Sequence, residues 1–407
     1  MSNQPKSLGS IVPVLALVAA IGGVYFAPYV VQGYRMIHLY DEDRIVENFL
    51  GMDRVFPVRD VPASTQPSAF REAPTTLPET FTYKGTELDL QQYLADNKST
   101  GMLVLKDGAI AYEEYWLGHS REGRHISWSV AKSFVSALVG IAVAEGKIAS
   151  IELPITDYLP ELFGTGYEGV AIRDILEMSS GVGFNEDYAD YDSDINRFGR
   201  AIGFGGSMSH FAKTLRRARE PGTYHHYVSI DTQVLAMLLV AVSGESVTSL
   251  LHSKIWEPVG MAYPAYWLLD ASGMEVALGG LNATLRDFAR LGQLYLDRGR
   301  LGSRQIVPAS WVRDSTTPRA AHLTAGPGNP QSSSTWGYGY QWWIPDPDLG
   351  DYTAAGIYNQ YVYVNPKQRV VIAKNSANRR YIAERQATKD EHIAMFRAIA
   401  NALGGRP

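Results

Sequence analysis

His125-Ile126-Ser127-Trp128-Ser129-Val130-Ala131-Lys132-Ser133-Phe134-Val135-Ser136-Ala137-Leu138-Val139-Gly140-Ile141-Ala142-Val143-Ala144-Glu145-Gly146 is the stretch that decides the fold. From Ser129 to about Glu145 nearly every residue is apolar or small, there is no proline, and Lys132 is the only interior charge. Gly146 supplies a stop. A helix apolar on all sides is one buried in a large core. Placing a serine and a lysine in its first turn is costly unless the two serve each other. Positions i and i+3 share a helix face, so the Ser129 hydroxyl and the Lys132 amine come within hydrogen-bonding reach.

That pairing suits nucleophilic catalysis. A serine hydroxyl attacks carbonyl carbon only when a base takes its proton, and a desolvated lysine has a lowered pKa and can be that base. The helix start also favours negative charge developing beside Ser129. Ser-x-x-Lys is a weak motif by itself; here it is the only match in the chain and it opens a buried helix.

Composition narrows the classes. A chain of 407 residues with 45% hydrophobic and 19% charged residues has room for a sizeable core and reads as a globular enzyme. A net charge of −5 without a Lys/Arg run argues against nucleic acid as a partner. The absence of cysteine excludes disulfides, thiolate zinc sites and a cysteine nucleophile. The nine histidines show no ligand spacing, so no metal or cofactor is expected.

Working toward the N-terminus, residues 1–10 form a polar tail, and the run from Ile11 to Val31 has no charged residue and is long enough to span a bilayer. We expect it to be an uncleaved single-pass anchor contacting lipid, with a cleaved signal peptide as the alternative. Lys6 before it and Asp41, Glu42 and Asp43 after it favour a catalytic body outside the cytoplasm. Residues 32–78 are expected as a juxtamembrane segment, with some helix around 43–50, followed by a Pro/Ser/Thr-rich extended linker over 61–78. The domain proper is expected over 79–407. Asp107-Gly108 between two β-prone runs predicts a hairpin. Helical patterns follow to about Asp297, strands return near 337–344, 352–356, 360–365 and 369–374, and a helix over 381–403 closes the chain. The expected fold is therefore α/β (α+β): an antiparallel sheet from N- and C-terminal strands, covered by helices, with an inserted mainly helical region.

A Ser/Lys pair also needs a proton donor for the leaving group. Pro221-Gly222-Thr223-Tyr224-His225-His226-Tyr227-Val228-Ser229 forms a turn leading into a helix and presents Tyr227 and Ser229. A tyrosine beside a lysine is expected to shift toward phenolate; the competing reading is a packed ring among 24 tyrosines.

Ser-Val-Ala-Lys opening a buried helix, Glu-Pro-Gly-Thr-Tyr-His-His-Tyr-Val-Ser about a hundred residues on, and Ala354-Ala355-Gly356-Ile357-Tyr358-Asn359-Gln360 before a final strand and helix together resemble the serine β-lactamase superfamily. The likeness covers roughly residues 80–404. It is to the class C branch, which includes penicillin-binding DD-peptidases, family VIII esterases and 6-aminohexanoate-dimer hydrolases. The resemblance implies Ser129 as nucleophile, Lys132 as base and Tyr227 in proton transfer, with backbone N–H groups of Ser129 and Ile357 as an oxyanion hole. It implies Gly356 and the segment Gly279-Gly280-Leu281-Asn282-Ala283-Thr284, with Arg286 and Asp287, along the cleft, so Asn282 and Gly356 join Tyr188 and Ser229 as candidate substrate contacts.

Two departures are informative. Tyr-x-Asn reads Tyr227-Val228-Ser229, and the Lys/His-Thr-Gly strand reads Ala354-Ala355-Gly356, without the cation that holds a β-lactam carboxylate. The expected substrate is thus a small ester or linear amide rather than an antibiotic. The alternative is a non-hydrolytic sensor or scaffold that binds acyl or peptidoglycan ligands. Gly164-Thr165-Gly166-Tyr167-Glu168-Gly169 spells a dinucleotide-type glycine pattern but follows no clear strand and reads as a loop. There is no G-x-S-x-G elbow, and Ser193-Asp194-Ile195 only partly resembles an S-D-N element. The composition is silent on oligomeric state.

Overall fold

Asp107 and Gly108 adopt φ of +50° and +73°, the paired left-handed conformation of a two-residue hairpin turn. They join strands Ser99–Lys106 and Ala109–Tyr115 in antiparallel register, with Lys106 opposite Ala109. The chain's last strand, Val370–Ser376, then pairs along the other edge of Ser99–Lys106, with Ile372 opposite Val104. Gln360–Asn365, Asp351–Gly356, Trp343–Asp346 and Gly337–Tyr338 extend that side, and Arg71–Glu72 adds a parallel strand at the opposite edge. The result is an eight-stranded sheet from both ends of the chain, as the sequence predicts. This computed structural model describes residues 31–203 and 205–405.

Strand alternation explains how the sheet is covered. Tyr361 and Tyr363 face the closing helix Arg385–Gly404, each with its ring centroid 5.3 Å from Phe396. Val362 and Val371 face the helix Leu285–Leu296. There Gly292 sits so close that an added Cβ would fall 2.5 Å from Val371 and 2.8 Å from Val362. The Ser129 helix (Ala131–Ala144) lies on this second side, with Phe134 near Phe288 and Trp256. It packs on Ser229–Ser243, which is buried along most of its length. A second, four-stranded sheet joins Val58–Val61, Ala265–Leu268, Leu281–Ala283 and His125–Ile126.

The N-terminal portion differs from expectation. The helix expected around 43–50 is present as Ile45–Phe49, but it does not stand outside the body. Leu39, Ile45, Phe49, Met52 and Val55 are buried, and Val58–Val61 is an edge strand of the second sheet. The stretch over 61–78 is extended, as its Pro/Ser/Thr content predicts, yet it is docked. The Ser64 and Ser68 amides donate to the carbonyls of Met261 and Gly260, each at 2.9 Å. The physical reason is partner distance: these residues close on strands and turns two hundred positions later, which no local pattern reveals. The expected anchor, apart from Val31, lies outside the described residues. Among the described residues no single helix is long and apolar enough to cross a membrane.

Candidate active site

Ser129 occupies a 3-10 turn, Trp128–Val130, that feeds directly into the helix Ala131–Ala144. This places the Lys132 Nζ 3.2 Å from the Ser129 Oγ. A second bond from Nζ to the Leu278 carbonyl, at 2.5 Å, fixes the amine. Lys132 is buried, and loss of water brings its pKa down to about 7. Glu186 and Asp231 nearby favour the charged form and Arg385 opposes it, but burial outweighs them. Near pH 7 a large fraction of the amine is therefore neutral. With one N–H committed to Leu278, its lone pair is free for the Ser129 hydroxyl.

The residue before the nucleophile is strained. Trp128 has φ of +44°, a left-handed conformation unusual for a bulky side chain. Phe49 meets its ring edge-on at 5.4 Å, and Tyr40 and Tyr358 lie against it at 6.2 Å. The N-terminal segment thus supplies part of the clamp that holds the turn carrying Ser129.

Tyr227, from the loop preceding Ser229–Ser243, lies beside Ser129 and Lys132. Its ring stacks on Trp343 at 5.2 Å and 21°, and Lys132 Nζ lies 5.5 Å from the ring centroid. Burial, reinforced by Glu186, pushes its pKa well up; the contact with Ser129 and Arg385 only partly counter this. The expected shift toward phenolate is thus corrected: desolvation outweighs the cations nearby and holds the Tyr227 hydroxyl in its protonated form.

Ser129, Lys132 and Tyr227 are brought together. Tyr188 and Ile357 line the same cavity as Ser129. Gly356 carries the strand against the nucleophile: a Cβ there would lie 2.8 Å from the Ser127 carbonyl oxygen and 3.0 Å from the Ser129 nitrogen. Two candidates are not presented to the cavity. Ser229 is buried, its amide and hydroxyl both spent on Glu186 at 3.0 and 2.5 Å. Asn282 is buried and donates its side-chain N–H to the Gly280 carbonyl. Arg286 and Asp287 are structural, paired with Glu113 and Arg290.

Two charged groups escaped the sequence reading. Glu186 takes a third hydrogen bond from the Tyr188 hydroxyl at 2.7 Å and so ties the 185–194 loop to the helix after Tyr227. Its place two residues before Tyr188 was the only available signal. Arg385, from the closing helix, lies among the rings of Tyr188, Tyr227 and Tyr381 at 5.7–6.0 Å; nothing in the sequence marks it. No cluster of His, Asp or Glu suited to a metal ion occurs among the described residues.

Comparison with known proteins agrees with this geometry. The Beta-lactamase family model matches residues 89–395. The 6-aminohexanoate-dimer hydrolase of Paenarthrobacter ureafaciens is 29% identical over 296 residues, covering 71% of this chain and 75% of its own. A Bacillus anthracis structure assigned as a 6-aminohexanoate-dimer hydrolase superposes with a TM-score of 0.80 at 26% identity, over 91% of this chain and 97% of that one. The octameric penicillin-binding protein homologue from Pyrococcus abyssi shares the fold, with a TM-score of 0.53 at 21% identity over 74% of this chain and 75% of that one. A family model spanning most of the chain, together with a Ser/Lys pair in contact at the start of a buried helix, establishes that the chain belongs to the Beta-lactamase family of serine hydrolases.

Proposed function

We propose that this protein hydrolyses an ester or linear amide through an acyl-enzyme on Ser129. The observation that carries this reading is the 3.2 Å contact between Ser129 Oγ and a buried lysine amine brought to about pKa 7. The neutral Lys132 takes the hydroxyl proton as Oγ attacks the carbonyl carbon. The oxyanion forms against the backbone N–H groups of Ser129 and Ile357, a reading supported by the close approach of Gly356 to the Ser129 backbone. As the bond to the leaving oxygen or nitrogen breaks, the Tyr227 phenol delivers its proton and is reprotonated through Lys132. Water then attacks the ester carbon, the same bases take its proton, and Ser129 and a carboxylic acid are released.

Esters and linear amides fit better than β-lactams. The strand position that would carry a cation toward a β-lactam carboxylate is Ala354, a buried alanine. The relatives named 6-aminohexanoate-dimer hydrolase support an amide-cleaving option. The uncharged run from Ile11 to Val31 supports attachment to a membrane with the catalytic body outside the cytoplasm; extraction of membranes at alkaline pH, which strips peripheral proteins, tests that part. The chemistry is tested with a fluorophosphonate probe and a panel of short esters, linear amide oligomers and nitrocefin. Wild type is expected to label, Ser129→Ala not to, and turnover to fall on esters or linear amides. Labelling that persists in Ser129→Ala, or turnover of nitrocefin alone, contradicts the reading.

A further inference from the structure

A cavity of about 570 Å³ opens beside Ser129, within the size range of small-molecule sites. Its walls are mainly carbon: Leu39, Met52 and Phe56 from the N-terminal segment face Ile195 and Phe198 from the helix Asp194–Gly203. The N-terminal wall precedes residue 89, where the family match begins. Among the described residues, charge on the lining comes only from Arg200 and Arg379, and no lining residue is an Asp or Glu. Ser129 and Ile357 line the cavity while Tyr227, the leaving-group side of the site, does not.

From this we propose that the cavity holds the acyl half of the substrate, a hydrocarbon chain without a terminal amine. The inference rests on the hydrolase reading above and adds the substrate class. An apolar wall next to the oxyanion side rewards each methylene that leaves water. An ammonium at the chain end would meet Arg200, bonded to the Tyr191 carbonyl, and Arg379, which Glu42 pairs at 3.8 Å from outside the lining. The net like-charge contact at Arg200 opposes it. A chain of the aminohexanoate type is therefore disfavoured in the acyl position, although relatives bear that substrate in their name.

The helix Asp194–Gly203 supplies a built-in test. Gly199 lines the cavity, and a Cβ added there would meet no heavy atom within 4 Å. Gly199 is exposed at the cavity's edge, so a Gly199→Phe side chain adds bulk at the mouth of the space assigned to the acyl chain without displacing backbone. The experiment uses the full chain and p-nitrophenyl acetate, hexanoate, decanoate and 6-aminohexanoate, with decyl acetate as the leaving-side control. Wild-type kcat/KM is expected to rise about threefold to fourfold per methylene until the cavity is filled. The 6-aminohexanoate ester should fall at least about tenfold below hexanoate. In Gly199→Phe the decanoate-to-acetate ratio of kcat/KM should drop at least about tenfold, with fluorophosphonate labelling reporting that the site is intact. A flat acyl series with Ser129-dependent turnover, an amine-ended ester equal to hexanoate, or chain preference seen only in the alkyl acetate overturns the inference and leaves the hydrolase reading standing. Absence of Ser129-dependent turnover on every substrate overturns both. The wild-type comparison of the two six-carbon esters decides the matter even if the variant does not fold.

Discussion

Replacing Gly356 by alanine puts the site geometry to a stringent trial. The added Cβ would lie 2.8 Å from the Ser127 carbonyl oxygen, 3.0 Å from the Ser129 nitrogen and 3.1 Å from the Trp128 Cβ. Ordinary contact is about 3.5 Å, so two backbone segments must separate by about 0.5 Å. The first two of these obstacles are main-chain atoms and cannot rotate away. They also belong to a turn already strained at Trp128 and clamped by Phe49. Overpacking of this kind costs about 1–3 kcal/mol of stability. Its larger effect falls on catalysis, because Ser129 Oγ, its amide and the Ile357 amide must converge on one carbonyl. A misplacement approaching an ångström at such a site lowers turnover about a hundredfold. The assay is kcat/KM on a p-nitrophenyl ester together with thermal unfolding. A folded Gly356→Ala enzyme with activity within about threefold of wild type would refute the argument that the strand bears directly on the nucleophile's backbone.

Other substitutions separate the remaining roles. Tyr227→Phe keeps the ring stacked on Trp343 but removes the phenolic proton; kcat should fall about a hundredfold or more while the fold is retained, as measured by steady-state kinetics and circular dichroism. Lys374, buried on strand Val370–Ser376 with no hydrogen-bond partner for its amine, has a pKa brought down to about 7 by burial, so the folded state binds fewer protons than the unfolded chain between about pH 7 and 10.5. The stability this lysine permits is thus full only above pH 10.5 and declines as pH falls to 7. Lys374→Met should raise unfolding free energy at pH 6 by about 1–4 kcal/mol and reduce its pH slope by about 1.4 kcal/mol per unit in that window, read by urea denaturation; an unchanged slope sinks the assignment.

How much of this was legible beforehand follows from the range of each interaction. The hairpin at Asp107-Gly108 and the Ser129 helix are local patterns, and both appear where the residues place them. The Ser129–Lys132 contact is also local, one helical turn apart. Within residues 32–78 the short helix is a local pattern and is present as Ile45–Phe49, whereas the docking of Val58–Val61 on Ala265–Leu268 depends on a partner two hundred positions away. Glu186 and Arg385 reach the site from a loop and from the closing helix, by packing that no spacing records. The protonation of Tyr227 could not be read at all, since it depends on burial rather than on which residue stands beside it.

The central claim concerns one proton. If Lys132 is the base, kcat/KM should be low at pH 5, rise along a single ionisation near pH 7 and level off above it, because only the neutral amine accepts the Ser129 proton. Measured on a neutral p-nitrophenyl ester in wild type and in Lys132→Arg, the profile should show that rise in the first and lose it, with most of the activity, in the second. A wild-type profile flat from pH 5 to 9, or one unchanged by Lys132→Arg, would contradict the account.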